Sequence, residues 1–241
     1  MHAWIDEHKP DYVINIYNDH GLGFFLDRCR LSPSVPPMNT RTRMKAGVCL
    51  ARSLPGAPEL SWHIIRSLVA DGSTSPCQEL AVDHGFVVPM QLFWNAPHHP
   101  HMPKAVPISA NTVQHPIPTL NRALNFGKAL RKALLSFPEK DAKIVVLGTG
   151  GLSHQLDGQR AGFINKEFDQ YCLENIVHNP EELTKITRQE LVKNAGAQGT
   201  EFLMWMMMRG ALGDDVTEVT RNYHIPISNT AAGTLLLECA A

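Results

Sequence analysis

The chain has 241 residues, of which 44% are hydrophobic and 19% are charged, and its formal net charge is −1. This length can bury a sizeable core, while the balanced charge gives no electrostatic signature of nucleic-acid or anionic-membrane binding. No apolar run reaches membrane-spanning length, and the start "MHAWIDEHKPD" lacks the apolar stretch of a signal peptide. The five cysteines are scattered without CxxC spacing, which favours reduced thiols and a cytoplasmic setting.

The hydrophobic pattern predicts alternating strands and helices. In chain order these are a strand over Val13–Tyr17, a helix over Glu59–Ala70, a mixed apolar segment over Gly85–Trp94, a strand over Ala105–Val113, a helix over Thr119–Phe137, a strand over Ile144–Leu147, helices over 167–177, 181–194 and 200–212, and a last strand over Thr234–Glu238. Such alternation predicts an α/β fold with a central mixed sheet flanked by helices. The chain contains no evident linker, so we expect a single domain over residues 1–241.

Two predicted strands end in a polar cluster that contains a histidine. The stretch "VINIYNDHG" presents Asp19 and His20, and "KIVVLGTGGLSHQLDG" presents Ser153 and His154 after a glycine turn. Glycines allow positive φ and a close backbone approach, and sites of α/β folds lie at strand ends. One such histidine is more often a structural residue. Two at matching positions leave both a structural role and a role as ligand or base open.

A third polar residue stands at the start of a strongly apolar helix. In "GTEFLMWMMMRGAL", Glu201 precedes apolar residues on every helical face, which predicts a buried helix. Its carboxylate is then either a first-turn charge favoured by the helix dipole or an inward-directed metal ligand. Histidine and glutamate are two of the ligand types of a 2-His-1-carboxylate Fe(II) site, although the pattern reveals no third ligand.

Three other patterns are weaker indications of function. The residues of "HHPH" (98–101) lie in a proline-broken loop, which is a poor rigid metal site. The turn "GTGG" lacks both GxGxxG and the P-loop lysine. Ser153 and His154 are adjacent in sequence, which is not the arrangement of a nucleophile elbow.

Five long motifs occur in one order along the chain: "YNDH", "VDHGFVVPMQL", "GTGGLSHQLDGQRAGFINKEFD", "GTEFLMWMMMRGAL" and "YHIPISNTAAG". Together they resemble the class III extradiol ring-cleavage dioxygenases, of the type of the protocatechuate 4,5-dioxygenase β subunit and its gallate dioxygenase relatives. The likeness runs over nearly all of residues 10–27 and 53–238. It implies cleavage of a catecholic aromatic acid such as protocatechuate, or a gallate-type substrate, with Fe(II) and O2. It also implies a small α subunit as partner in an oligomer.

The resemblance assigns roles to six residues of this chain. The iron ligands would be His20 and Glu201, and the active-site base would be His154. His84 would either support the metal ligands or line the substrate pocket, and Ser228 and Asn229 would lie near the bound aromatic acid. In such a mechanism the metal brings diol and O2 together and offsets oxyanion charge. A neutral imidazole accepts a proton near pH 7.

The chain departs from the family pattern at its N-terminus. The family begins with a strand whose Ser-His end supplies another iron-ligating histidine, and neither His2 nor His8 matches that motif. We therefore expect the N-terminal strand and one ligand to be missing. Such a truncation would weaken Fe(II) binding, because affinity follows ligand number and geometry.

Residues 28–52 form a second departure, with five Arg, one Lys, two Cys, no acid and no helix or strand period. If Arg28–Leu50 is back-translated with GC-rich codons and read from the third base, the peptide becomes "MPTFAVGAADEYANADEGWGLP". That peptide resembles the family's own continuation after "FFLD". We interpret the segment as frameshifted rather than as a basic surface loop. An inactive, truncated and frameshifted pseudoenzyme is therefore the alternative to an active dioxygenase.

Sequencing the encoding DNA tests the frameshift interpretation. We expect two compensating shifts, near Asp27 and Ala51, relative to the genes of family members. An uninterrupted frame shared with close relatives over this stretch would contradict it.

Overall fold

The computed structural model describes residues 1–20, 34–35, 41–42, 55–70, 75–76, 81–94, 100–112 and 115–239. The chain packs as two compact units. The sheet unit comprises Met1–Asn111 and Lys132–Thr149, and the helical unit comprises Thr112–Arg131 and Gly150–Ala241. Most of residues 28–52, the segment interpreted as frameshifted, lies outside the described residues. The described part of this segment consists of two short strands, at 34–35 and 41–42.

The sheet unit contains α1 (His2–His8), β1 (Tyr12–Asn18), β2 (Ser34–Val35), β3 (Arg41–Thr42), α2 (Pro58–Ala70), β4 (Ser75–Pro76), β5 (Ala81–Val82), α3 (His84–Trp94), β6 (Lys104–Ala110) and β7 (Ile144–Gly148). The helical unit contains most of α4 (Leu120–Leu135), then α5 (Lys166–His178), α6 (Pro180–Leu183), α7 (Arg188–Ala195), a 3-10 turn (Gly199–Glu201), α8 (Phe202–Leu212), β8 (Val216–His224) and β9 (Ala232–Cys239).

A five-stranded mixed sheet with the strand order β4-β2-β6-β1-β7 forms the centre of the sheet unit. Strand β1 pairs in parallel with β6 and β7, whereas β2 pairs antiparallel with β6 through Ser34 and Ser109. All seven residues of β1 are buried, as is usual for an interior strand of a parallel sheet. Because β1 and β7 are parallel neighbours, they end at the same edge of the sheet, where functional loops of α/β folds begin.

Helix α3 packs against β1 and supplies much of the apolar core of the sheet unit. Phe86 and Met90 are fully buried, and the Phe86 ring meets Tyr17 of β1 edge-on, with ring centroids 5.6 Å apart. The Phe86 carbonyl also accepts a hydrogen bond from the buried side-chain amide of Asn15, at 3.1 Å. The side chain of Asn15 thus links α3 to the middle of β1 by a hydrogen bond.

Helix α8 is the buried core of the helical unit. Ten consecutive residues, from Phe202 to Ala211, are buried, which confirms the prediction of a buried helix. Among the described residues, no helix combines the length and the apolar character needed to cross a bilayer.

The predicted α/β class, with a mixed central sheet flanked by helices, is confirmed. The prediction of one domain over residues 1–241 stays a prediction. The segment 85–94, which shows no helical period, is a helix despite Pro89 inside it. The prediction of a single helix over 181–194 is wrong. Thr187 and Glu190 form a capping box, so that a separate helix begins at Arg188.

Helices α4 and α8 approach closely at two glycines within the helical unit. A Cβ atom on Gly127 would lie 2.1 Å from the Met207 carbonyl oxygen, and one on Gly210 would lie 2.3 Å from the Leu124 carbonyl oxygen. These distances are far below a van der Waals contact, and the opposing atoms belong to the backbone. Both positions therefore require glycine.

We expect Gly127→Ala to destabilise the protein by roughly 1–3 kcal/mol, the usual cost of overpacking a core. Alanine has a helix propensity better by about 1 kcal/mol, so a loss of stability would show that the steric clash dominates. Urea unfolding measures the change. The control is Asn125→Ala on the exposed face of the same helix, which should change stability by about 0.5 kcal/mol or less. Equal stability of both variants would contradict the close approach.

Candidate active site

In the sheet unit, His20, Asp83 and His84 lie together where β1 ends and α3 begins. The carboxylate of Asp83 is buried, whereas the side chains of His20 and His84 are 37% and 53% exposed. Oxygen Oδ2 of Asp83 accepts the backbone N–H of His20 at 3.0 Å and lies 2.5 Å from Nδ1 of the His20 ring. Oxygen Oδ1 accepts the backbone N–H of Gly85 at 2.9 Å. The two imidazole rings stack, with centroids 4.2 Å apart.

The Asp83 carboxylate determines which nitrogen of His20 is basic. An ionised carboxylate only accepts hydrogen bonds, so Nδ1 of His20 is the donor and the lone pair of the neutral ring is on Nε2. Burial acts to raise the pKa of Asp83, but the hydrogen bonds from the His20 ring and backbone outweigh burial and lower that pKa. The carboxylate therefore stays ionised and keeps the His20 ring oriented.

The cluster of His20, Asp83 and His84 fits a divalent metal ion. One potential ligand atom from each residue lies within 4.8 Å of the others. Two imidazoles and one carboxylate are the ligand types of 2-His-1-carboxylate sites. The 2.5 Å between Nδ1 of His20 and Oδ2 of Asp83 is the length of a short hydrogen bond. That length favours Asp83 as the acceptor that orients a ligating histidine over Asp83 as a direct ligand.

In the helical unit, His154 and Glu201 form a buried pair. Nitrogen Nε2 of His154 lies 3.9 Å from Oε2 of Glu201, and both side chains are about nine-tenths buried or more. Nitrogen Nδ1 of His154 lies 2.9 Å from the Leu152 carbonyl oxygen, which can only accept. Nδ1 is therefore the donor, and Nε2, on the side of Glu201, carries the lone pair of the neutral ring.

The predicted glycine turn, at Gly150 and Gly151, places backbone atoms in close contact with His154 and Glu201. Gly150 has a φ of 101°, and the N–H of Gly151 donates to Oε2 of Glu201 at 2.8 Å. A Cβ atom on Gly150 would lie 2.6 Å from Cβ of Glu201, and one on Gly151 would lie 2.8 Å from Cε1 of His154. The turn therefore needs glycine at both positions, because the carboxylate and the imidazole occupy the space of a side chain.

Ser228 and Asn229 lie in the exposed connection between β8 and β9. The following residue, Thr230, pairs with His154 in an isolated antiparallel bridge. Asn229 has a φ of 55°, a left-handed conformation that asparagine tolerates better than most residues. Both candidates for substrate contact thus lie within two residues of Thr230, the backbone partner of His154.

The structure thus brings the candidate residues together within each unit: His20 with His84, and His154 with Glu201. Sequence reasoning missed Asp83, although it directly precedes His84 in the motif "VDHG". A carboxylate next to a histidine was the available signal. Its contact with His20, 63 residues earlier in the chain, could not be read from spacing.

Residues 1–233 match the family of catalytic LigB subunits of aromatic ring-opening dioxygenases, and the chain belongs to that family. It is 40% identical over 192 residues to the gallate dioxygenase of Pseudomonas putida, covering 78% of this chain and 55% of that protein. It is 26% identical over 195 residues to the 2,3-dihydroxyphenylpropionate/2,3-dihydroxicinnamic acid 1,2-dioxygenase of Photorhabdus laumondii, covering 80% of this chain and 57% of the relative. The chain thus spans about half the length of the curated relatives it matches.

A solved structure supports the fold. The crystal structure of an uncharacterised Escherichia coli K12 protein superposes with a TM-score of 0.62, covering 99% of this chain and 91% of that chain. The sequence identity is 14%, so this likeness concerns the fold alone.

If the cluster of His20, Asp83 and His84 binds a divalent metal ion, we expect Asp83→Ala to weaken that binding roughly 10- to 100-fold, the usual effect of removing the acceptor that orients a ligating histidine. Anaerobic titration calorimetry of the purified protein measures the affinity. The matched control is Asp141→Ala, which removes an exposed carboxylate of the same unit. Unchanged affinity in Asp83→Ala, with the fold retained, would exclude this role.

Proposed function

We propose that this protein is an Fe(II)-dependent extradiol dioxygenase that cleaves the ring of a catecholic aromatic acid with O2. The observation that carries the proposal is the match of residues 1–233 to catalytic subunits of ring-opening dioxygenases. The site chemistry supports it, because two oriented histidines and a buried glutamate are the ligand and base types that such a reaction needs.

We assign His20 and Glu201 as metal ligands, each prepared within its own unit. Asp83 fixes the tautomer of His20, and the N–H of Gly151 holds one carboxylate oxygen of Glu201. Bound Fe(II) would bring diol oxygens and O2 together and offset developing oxyanion charge. The chemistry of imidazole and carboxylate ligands suits this metal.

His154 is the proposed base. Its Nδ1–H is engaged with the Leu152 carbonyl, so Nε2 is the atom that accepts a proton from a substrate hydroxyl. His84, stacked on His20, is the second active-site histidine. Ser228 and Asn229 are the proposed neighbours of the aromatic acid. The burial of His154 and Glu201 keeps bulk water away from the proton-accepting nitrogen.

The proposed substrates are hydroxylated benzoates. The relative at 40% identity is a gallate dioxygenase, which favours a gallate-type acid over the longer side chain of a dihydroxyphenylpropionate. Protocatechuate, the smaller catechol acid, is the second candidate. A small α subunit is the proposed partner, on the resemblance of the motifs to the protocatechuate 4,5-dioxygenase β subunit.

A substrate panel tests the proposal. The purified chain is loaded anaerobically with Fe(II) and then given O2 with gallate, protocatechuate or 2,3-dihydroxyphenylpropionate, with and without an α subunit. We expect O2 consumption and a new ring-cleavage absorbance with the benzoates. A protein that holds stoichiometric Fe(II) but consumes no O2 with any of them would favour the inactive alternative.

We expect His154→Ala to lower kcat by roughly 100- to 10,000-fold, the usual contribution of general base catalysis. The amount of bound Fe(II) should equal that of the wild type, because His154 is not an assigned ligand. The control is His178→Ala, which removes an exposed histidine of the same unit and should leave kcat unchanged. Loss of iron together with activity would show instead that His154 is a ligand.

A further inference from the structure

A buried polar network lies directly behind His154. Asp169, in the first turn of α5, is 1% exposed, and Ser153 is fully buried. The Asp169 carboxylate accepts the backbone N–H of Ser153 at 2.8 Å, the Ser153 hydroxyl at 2.6 Å and the Tyr223 hydroxyl at 2.8 Å. The Ser153 hydroxyl in turn accepts the backbone N–H of Asn165 at 2.8 Å. Three donors, from Ser153 and Tyr223, thus satisfy one buried carboxylate.

We propose that Asp169 is a positioning residue for His154, acting through both the backbone and the side chain of Ser153. The part of this proposal that concerns catalysis rests on the proposed function. Asp169 acts on the imidazole without a hydrogen bond to it, although the charge of His154 is among the influences that lower the pKa of Asp169. Its effect is to hold residue 153 so that the ring of residue 154 keeps one orientation.

The path from Asp169 to the imidazole runs through the backbone of residues 152–154. The His154 N–H donates to the Ala195 carbonyl at 2.8 Å, and the Leu152 N–H donates to the Ala231 carbonyl at 3.1 Å. The carbonyl of Leu152 also fixes Nδ1 of His154. Any rotation of residue 153 therefore moves the acceptor that sets the tautomer of the ring. The side chain of Ser153, held by Asp169, is what opposes that rotation.

The energetics favour a specific role over simple core filling. A buried carboxylate is costly unless charge-assisted hydrogen bonds replace its water. An apolar side chain of similar volume would often be neutral or stabilising at such a place. Burial raises the pKa of Asp169, although the hydrogen bonds from Ser153 and Tyr223 act to lower it. Burial also raises the pKa of Tyr223, so its hydroxyl remains a proton donor to the carboxylate.

The tautomer of His154 is the readout that tests positioning without enzyme activity. Long-range 1H–15N NMR of histidine-labelled protein reports it, and His154→Gln assigns the signal. We expect a single Nδ1–H tautomer in the wild type. Asp169→Asn places an N–H donor where the carboxylate accepted, and we expect a mixture with the Nε2–H tautomer. Tyr223→Phe removes one donor and should cause a smaller shift in the same direction.

Kinetics supply the second readout. If the wild type turns over, Asp169→Asn should lower kcat roughly 10- to 100-fold, as removal of orienting partners usually does, while KM and iron content stay unchanged. The control is Asp157→Asn, which removes an exposed carboxylate from the same loop and should alter neither tautomer nor kcat. An inactive wild type with shifted tautomers in the variants would refute the proposed function but support positioning by Asp169.

Stability separates positioning from a merely structural role. A variant that lowers the unfolding midpoint but keeps the pure Nδ1–H tautomer would overturn the proposal. If Asp169→Asn does not fold, Ser153→Ala and Tyr223→Phe decide the question, because each removes one hydroxyl and leaves the carboxylate in place. Unchanged tautomers in both of these folded variants would likewise overturn it.

Discussion

The candidate clusters of both units depend on one constraint, that a neutral imidazole carries one proton and one lone pair. In both His20 and His154 an oxygen acceptor engages Nδ1, so that Nε2 is the basic atom in each ring. For His20 the acceptor is the carboxylate of Asp83, which directly precedes α3, and for His154 it is the carbonyl of Leu152. The strand β1 and the glycine turn place these rings, but the acceptors decide what the rings can do chemically. Metal ligation and proton transfer both require that the lone pair of the imidazole faces the metal ion or the proton donor.

Three buried carboxylates of the described residues, Asp83, Asp169 and Glu201, follow a second common rule. Each accepts at least one backbone N–H, from Gly85, Ser153 and Gly151 respectively. A buried carboxylate needs such donors, together with side-chain donors such as the His20 ring and the Tyr223 hydroxyl, because they replace the water that it loses. The donors are backbone groups of the first turn of α3 and of the loop after β7, so each carboxylate is held before any ligand arrives. A polar site inside an apolar core is thereby kept rigid.

The elements with clear periodicity were predictable from the sequence. Strand β1 and helix α4 each begin and end within two residues of the prediction, because apolar spacing determines them locally. Helix α3 was not predictable, because its apolar residues include the exposed Leu92 and so show no helical period, and because Pro89 argues against a helix. His20, His154 and Glu201 stood out because polar residues directly follow strands or begin an apolar helix. Asp83 and Asp169 gain their roles from contacts 63 and 16 residues along the chain, which no local pattern encodes.

The difference between the two acceptors suits the two proposed roles. A carboxylate acceptor forms a charge-assisted hydrogen bond and pushes electron density into the ring, which strengthens a metal ligand. A carbonyl acceptor fixes the tautomer without placing a full negative charge on Nδ1. A base that must take up a proton and later release it is better served by the neutral acceptor, because excessive stabilisation of the imidazolium would hinder the release. On this argument Asp83 belongs to a ligand and Leu152 to a base. The charged group behind His154, Asp169, then acts one residue away, where it sets position without contacting the ring.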